Sequence, residues 1–561
     1  MAVFVVRLFY LQVIQHDYYV AEANKEQMKQ LVIPAKRGEI YAMDGGKPAK
    51  IVLNETVYTV FADPKVVDKP QEVVDLVRRV AGGNAQPNLE ELLDRKESRY
   101  QVLAKKVSRK QAEMMKESHL KGIGFQQETQ RVYPEGQMAS QTLGFVDAEG
   151  KGRYGIEQAL NQRLTGADGL LQSVTDISNV PLTIGDKNIN KPAKNGDNIV
   201  LTVDRNVQAY SEKALAEGMK KSGATHGSVM VMDPQSGKVL AMANLPTYNP
   251  GEYTKVQDIA AFNNGTINAP YEPGSDIKTL TMATGLDRGV IQPDSTYNNT
   301  DSIKVEDRTI SNATKGQTGV ITMQHALNYS LNTALVTVAQ RLGDGKNITR
   351  EARDIMYEYF HDKLGLGELT GIELAGEVAG TVISPKEADG NAVRYSNMAF
   401  GQGLDVTMVQ VCTAFSTIIN GGTRYQPTVI AGVMSDDGKS FTKAAPKEPR
   451  FGVIGDEAST KVRKMIHDAR SAFYAAQDRK GYYIGGKTGT SQTIRDGKYV
   501  DDETIGTYLG YGGSSGDHPE YVIMVQVSAE KKQLAGAQDA MPIFTDISNW
   551  MIDYLKLQPK G

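Results

Sequence analysis

Ser275-Asp-Ile-Lys278, Ser330-Leu-Asn332 and Lys487-Thr-Gly489 follow one another along the chain, and their chemistry constrains what the rest must build. Serine is a poor nucleophile until a neighbouring base takes its proton. On a helix, residues three apart share a face, with Cβ atoms about 5–6 Å apart. Lys278 therefore meets Ser275 if Pro273-Gly274 mark a helix start, where both residue types are tolerated. Backbone N–H groups at that start would face a developing oxyanion. The amine acts as a base only if burial or a second cation lowers its pKa, and Lys487 can supply that cation. Ser330 offers a hydroxyl to relay a proton, and Asn332 an amide to hold a carbonyl. Gly485-Gly-Lys-Thr-Gly-Thr490 reads as a strand with its backbone open to another chain, since glycine permits close approach. The first string is weak alone, because Ser-x-x-Lys recurs at Ser118/Lys121 and Ser440/Lys443. A solvated helix start, a polar helix face and a Gly-rich edge strand would each account for one string. None accounts for all three in order.

Outward from these strings, the chain reads as α+β and multidomain. Gly227 to Met232 alternates apolar positions, Asp233-Pro-Gln-Ser-Gly237 turns, and Lys238 to Ala243 returns, which is a hairpin. Gly485 to Thr490, Ile505 to Gly510 and Tyr521 to Ser528 read as three later strands. Two early and three late strands would complete one antiparallel sheet, with the helical stretch from about Lys278 to Arg341 inserted between them. Val207 to Lys221 and Met541 to Leu557 have helical spacing, and Asn198 to Val203 reads as a strand. A domain boundary falls in Asn188 to Asp197, dense in Asn, Lys, Pro and Gly. Upstream of it, residues 16–195 form a mixed α+β support domain without a catalytic constellation. Its Asp63 to Gly124 stretch has helical spacing broken at Gly82-Gly83, and Leu31 to Tyr41 is strand-like with a turn at Asp44-Gly45-Gly46.

The 561 residues are 40% hydrophobic and 23% charged, enough apolar material for large cores in two or three domains. A net charge of −3 and the lack of a basic block argue against nucleic acid as a partner. The single cysteine, Cys412, excludes an internal disulfide and sits in an apolar run, as a packed core thiol would. The seven histidines lack ligand spacing, so neither a metal nor another cofactor is expected. His325 reads as bonded within the fold. Met1 to Ile14 is apolar except for Arg7 and Gln12 but shorter than the roughly 20 residues a spanning helix needs. Two readings stand: the end of a membrane anchor whose beginning is missing, or a short amphipathic helix packed on the protein. Polar Gln15 to Lys29 would continue as a helix.

The whole pattern resembles the class B penicillin-binding proteins, bacterial peptidoglycan transpeptidases. Tyr271-Glu-Pro-Gly-Ser-Asp-Ile-Lys278 is similar to the family's first motif, Tyr329-Ser-Leu-Asn-Thr-Ala334 to its second, and Gly485-Gly-Lys-Thr-Gly-Thr-Ser491 to its third. Gly227 to Tyr253, Phe400-Gly-Gln-Gly403, Val406-Thr407 and Asn420-Gly-Gly422 match further blocks. Arg7 to Ile14 and Arg37-Gly-Glu-Ile-Tyr41 look like the membrane-proximal end and first strand of the family's pedestal domain, which favours the truncated anchor. The resemblance implies an anchor ending near residue 15, a pedestal or dimerisation-like domain over 16–195 and a transpeptidase domain over 196–561. It implies the penicillin-binding protein and serine β-lactamase fold, a five-stranded antiparallel sheet with helices on both faces.

By the same resemblance, Ser275 would attack the penultimate D-Ala carbonyl of a stem peptide while Lys278 accepts and returns the proton. Ser330 and Asn332 would complete the relay and position substrate. Lys487 and Thr488 would bind its carboxylate end, and Gly489 and Thr490 would line the substrate strand, with the N–H groups of Ser275 and Thr490 as oxyanion hole. A second stem peptide would supply the acceptor amine, and β-lactams would be caught at Ser275. Glycan polymerase or divisome proteins would be partners at the cell membrane, with a single-pass anchor and an extracytoplasmic catalytic domain. The Tyr-Glu-Pro-Gly-Ser flank favours the cell-division type over the elongation type. A serine β-lactamase-like hydrolase and a catalytically weakened scaffold are the other readings. The chain departs from the family at Asp276 and Ile277, which replace Thr and an aromatic or Met, at the bulky Leu331, and in Gly506 to Gly513, which lacks a tryptophan. An inward-pointing Asp276 would be expected to raise the Lys278 pKa and slow acylation.

Overall fold

The computed structural model describes residues 2–16, 18–19, 28–174, 189–495 and 497–559, and the chain divides into two compact units. The larger comprises Met1–Lys36, Tyr41–Ala49 and Gly136–Gly561, and the smaller Arg37–Ile40 and Lys50–Glu135.

The larger unit is built on a five-stranded antiparallel sheet: β1 (His226–Met232), β2 (Val239–Leu245), β3 (Tyr483–Arg495), β4 (Lys498–Gly513) and β5 (Tyr521–Ser528). Their spatial order is β2-β1-β5-β4-β3, so the strand carrying Lys487 lies at an edge. The β1–β2 turn closes because the Asp233 carboxylate accepts from the Gln235 N–H at 2.8 Å, and Gly237 takes the φ of +71° that a side chain would resist. Helices α1 (Arg205–Ser222) and α6 (Met541–Tyr554) cover one face. Asp204 caps α1, accepting from the N–H groups of Asn206 and Val207 at 2.9 and 3.1 Å. Val207, Leu215, Ile543, Phe544 and Ile547 then bury their side chains with Tyr521, Ile523 and Val525 of the sheet. Each such burial stabilises the fold by about 1.5–3 kcal/mol.

Helices α2 (Lys278–Asp287), α3 (Asn332–Arg341), α4 (Met408–Ile419) and α5 (Asp456–Tyr474) form the insertion between β2 and β3. All of α4 is buried, Cys412 included, as its apolar run predicts. The expected fold of this part, one sheet assembled from early and late strands around an insertion, is the fold observed. The insertion is less helical than its spacing suggests. Between α2 and α3, Thr296–Asn299 pairs with Gly319–Thr322, and Ser302–Val305 with Arg308–Ser311. Strands of four residues are too short for a two-residue period to stand out.

In the smaller unit, Leu53–Ala62 pairs with Ile123–Val132, and Val57–Ala62 with Gln101–Ser108. Pro70–Ala81 and Arg109–Lys116 pack on them through Val73, Val77, Ala112 and Met115. The helix Pro70–Ala81 stops at Gly82, φ +56°, where the break was expected. The helical spacing read over Asp63 to Gly124 is corrected at Gln101–Ser108, a strand whose Leu103, Ala104 and Val107 are buried. The extension of a helix to Lys29 is likewise corrected, because Met28–Ile33 is a strand paired with Gly169–Val174, while residues 17 and 20–27 of the expected helix lie outside the described residues. Of the expected boundary loop, Asn188 lies outside the described residues and Ile189–Lys191 is a short strand.

Candidate active site

The turn that carries Ser275 is held by backbone before any side chain acts. Tyr271 and Val406 exchange N–H···O bonds of 3.1 and 3.0 Å, and the Gly274 N–H donates to the Gly401 carbonyl at 3.0 Å. The backbones approach so closely that a Cβ on Gly401, φ +94°, would run into the Gly274 carbonyl. Gly274 itself sits at φ +58°, and a Cβ there would lie 2.9 Å from the Thr490 carbonyl of β3. The edge strand therefore runs alongside the turn.

From Gly274 to Ile277 the chain makes a 3₁₀ turn that leads directly into α2, with Pro273 at its cap. Three residues per turn place positions i and i+3 above one another, so Ser275 and Lys278 share a face, as the spacing requires. Ser275 is half-buried and Lys278 almost wholly buried. The Lys278 Nζ donates to the Ser330 carbonyl at 2.6 Å and to the Ser330 hydroxyl at 3.1 Å. Across the cleft, Lys487 Nζ donates to the same hydroxyl at 2.9 Å and to the Thr488 carbonyl at 3.0 Å. Ser330 thus bridges the two lysines. It does so from a left-handed backbone, φ +57°, in the turn between Met323–Asn328 and α3. Such a conformation on a non-glycine residue is costly and collects at functional sites. Leu331, bulkier than the family pattern, points into the core with no exposure.

Burial holds Lys278 well below the ordinary lysine range, and the neighbouring Lys487 charge pushes it the same way. Lys487 is lowered by burial too, opposed by the charge of Asp276. The Asp276 carboxyl is pushed up by burial, against the Thr507 hydroxyl and the Lys487 charge. The expectation that an inward Asp276 raises Lys278 is corrected. The carboxyl does turn inward, but toward β3 and β4, where Oδ2 accepts from the Thr507 hydroxyl at 2.7 Å, and Lys278 is lowered.

Asn332 lies two residues beyond Ser330, and Thr488, Gly489 and Thr490 follow Lys487 on β3. Asn332 Nδ2 donates to the Ser311 carbonyl at 2.9 Å, which fixes the amide at the start of α3. Thr488 is half-buried, with its hydroxyl 3.4 Å from Lys487 Nζ. At Gly489 a Cβ would stand 2.9 Å from Asp276 Oδ2 and collide with the Thr507 hydroxyl. Thr490 is exposed, its hydroxyl accepting from the Gly536 N–H at 3.1 Å. His325 is bonded within the fold, with Nε2 2.8 Å from Gln317 Oε1 and the ring stacked on Tyr329. Among the described residues no group of His, Cys, Asp and Glu is arranged to hold a metal ion.

Sequence reasoning passed over Glu272. Its carboxylate, nearly buried, accepts from the Gly403 N–H at 2.6 Å and from the Tyr499 hydroxyl at 3.0 Å, tying the nucleophile turn to the loop after Gly401 and to β4. The only signal was its place beside Pro273, because Tyr499 is 227 residues away.

Two buried lysines bridged by the Ser330 hydroxyl thus stand beside Ser275 and the edge strand. Residues 227–549 match the penicillin-binding protein transpeptidase domain, and residues 32–201 the penicillin-binding protein dimerisation domain. The chain belongs to the penicillin-binding protein transpeptidase family. It is 28% identical to stage V sporulation protein D of Bacillus subtilis, over 99% of this chain and 84% of that protein. Peptidoglycan D,D-transpeptidase FtsI of Escherichia coli is 26% identical over 99% and 89%. Among solved structures, a peptidoglycan synthetase from Bifidobacterium adolescentis superposes with a TM-score of 0.73 at 25% identity, over 95% of this chain and 98% of that one.

Proposed function

We propose that the protein is a serine-type peptidoglycan D,D-transpeptidase, working in septal cell-wall synthesis and inhibited by β-lactams. The observation that carries this reading is the Lys278–Ser330–Lys487 network on the face of Ser275, beside an edge strand. Ser275 Oγ attacks the penultimate D-Ala carbonyl, and neutral Lys278 takes the hydroxyl proton. The oxyanion forms against the N–H groups of Ser275 and Thr490. Ser330 passes the proton to the departing amine as the D-Ala–D-Ala bond breaks and D-Ala leaves. Lys487 and Thr488 hold the terminal carboxylate, Asn332 holds a substrate carbonyl, and the backbone through Gly489 pairs with the stem peptide. A second stem peptide's amine then attacks the acyl-enzyme carbonyl; its proton passes to Lys278 and on to Ser275 Oγ as the ester C–O bond breaks, which frees Ser275 and leaves a crosslink.

Similarity to a protein named peptidoglycan D,D-transpeptidase FtsI supports the reaction, and the Tyr-Glu-Pro-Gly-Ser flank favours the septal role. A solved penicillin-binding protein 3 of Mycobacterium tuberculosis at 24% identity, complexed with ampicillin, shares the fold. We assign residues 16–195 to the pedestal and 196–561 to the catalytic domain. Residues before 16 anchor the chain to the cell membrane, catalytic domain outside, alongside glycan polymerase or divisome partners. Val3, Phe4, Val5 and Val6 stand exposed on the helix Ala2–Phe9, which supports an apolar environment for that end. No helix among the described residues is long and apolar enough to cross a membrane.

The test is intact-mass spectrometry after exposure to a fluorescent penicillin, followed by peptide mapping. One adduct on Ser275 is expected in the wild type and none in Ser275→Ala. Equal labelling of the two would overturn the assignment.

A further inference from the structure

Asp276 has no part in the steps above, yet it is adjacent to the nucleophile and fully buried. Its carboxyl lies under β3. Oδ2 is held by the Thr507 hydroxyl and occupies space that only a glycine at 489 leaves open. Oδ1 has no hydrogen-bond partner among the described residues. Alternate residues of a strand face the same way, so the carboxyl stands over Gly489 on the face from which Lys487 reaches Ser330.

Burial favours the neutral carboxyl, so Asp276, with Oδ1 unbonded, holds its negative charge only where a positive charge stands near. Tyr271 faces Asp276 from the preceding loop, Cys412 from α4, Thr507 from β4 and Lys487 from β3. Burial, and then the nearby carboxyl, keep the Tyr271 hydroxyl and the Cys412 thiol neutral. Lys487 is the cation acting on Asp276.

We propose that Asp276 is a positioning residue for transpeptidation: its carboxylate, seated under Gly489, is the counter-charge that keeps Lys487 cationic against the desolvation of the cleft. The proposal rests on the transpeptidase reading of the site. Lys487 then keeps both its attraction for the substrate carboxylate and its influence on Lys278. Burial alone drives Lys487 toward the neutral amine, and Asp276 opposes that. Removing the carboxylate makes Lys487 lose its proton at lower pH, which moves the alkaline side of the reaction. The acid side follows Lys278, which is lowered by burial and by the Lys487 charge, and Lys487 is fully protonated in that range with or without Asp276.

The experiment is the second-order acylation rate with a fluorescent penicillin as a function of pH, for wild type, Asp276→Asn, Asp276→Thr and Thr507→Val. Both Asp276 variants are expected to move the alkaline limb down by about one pH unit, with the acid limb unmoved. KM for a peptide ending in D-Ala-D-Ala rises more than kcat falls. Thr507→Val leaves the carboxyl but removes its hydrogen bond, so it shifts the limb the same way by less. If Asp276→Asn does not fold, the other two variants decide. An alkaline limb that stays at the wild-type position in every folded variant overturns the proposal and leaves Asp276 a space-filling residue. Wild-type protein that forms no adduct at any pH defeats the transpeptidase reading itself, a separate outcome.

Discussion

In the proposed reaction Lys278 meets the most demanding requirement, since an amine must be neutral to take a proton in a position where lysine is ordinarily charged. Burial does most of this and the Lys487 charge adds to it. The sign of the pH dependence follows. The neutral amine is the active form and its pKa is depressed, so acylation rises with pH through that lowered value, well before free lysine would titrate. Lys487 must stay cationic, so the rate falls again as it loses its proton, giving a bell-shaped profile. Lys278→Ala is expected to slow acylation by about 10²–10⁴-fold, measured by stopped-flow with a fluorescent penicillin. Lys278→Arg does not rescue it, because a guanidinium remains protonated.

At the scale of elements, the nucleophile turn depends on three segments far apart in the chain: Tyr271–Ile277, the Gly401–Val406 loop and β3. Gly401 is the closest point of contact. Alanine there meets the Gly274 carbonyl and must adopt φ +94°. Gly401→Ala is therefore expected to lower stability by about 1–3 kcal/mol and to reduce acylation more than tenfold by displacing Ser275. Thermal unfolding and the acylation rate check the two effects, and a variant normal in both would contradict the packing described. Edge placement of β3 gives the site its second wall, because the last strand of a sheet keeps unpaired N–H and C=O groups that an extended peptide can take up.

Across the whole larger unit, a buried ionic link joins α5 to the sheet and to α6. Arg470, fully buried, donates to Asp478 at 2.6 and 2.8 Å and to the Thr545 hydroxyl at 2.9 Å, and it also bonds the Tyr508 hydroxyl. Removing one partner of such a pair strands the other charge. Asp478→Ala is expected to lose about 3–5 kcal/mol in urea unfolding, with the penicillin adduct still forming on Ser275 in the folded fraction. The apolar start of the chain is predicted to behave independently of the chemistry. Deleting residues 1–14 should abolish association with lipid vesicles, measured by co-sedimentation, while leaving the acylation rate unchanged.

Five strands, their hairpin turn and the three strings around Ser275, Ser330 and Lys487 were legible in the sequence because each depends on local period or on fixed residue types. The four-residue strand Thr296–Asn299 and the longer Gln101–Ser108 were not, since their pairing partners, rather than their own pattern, make them strands. Nor was the direction of the Asp276 carboxyl or the Glu272–Tyr499 link legible, as both rest on groups more than 200 residues apart. Residue types and their order determined which chemistry this chain can perform. Only the tertiary structure decided the charge each buried group carries, because burial and neighbouring charge, which set it, arise when distant segments close around one cleft.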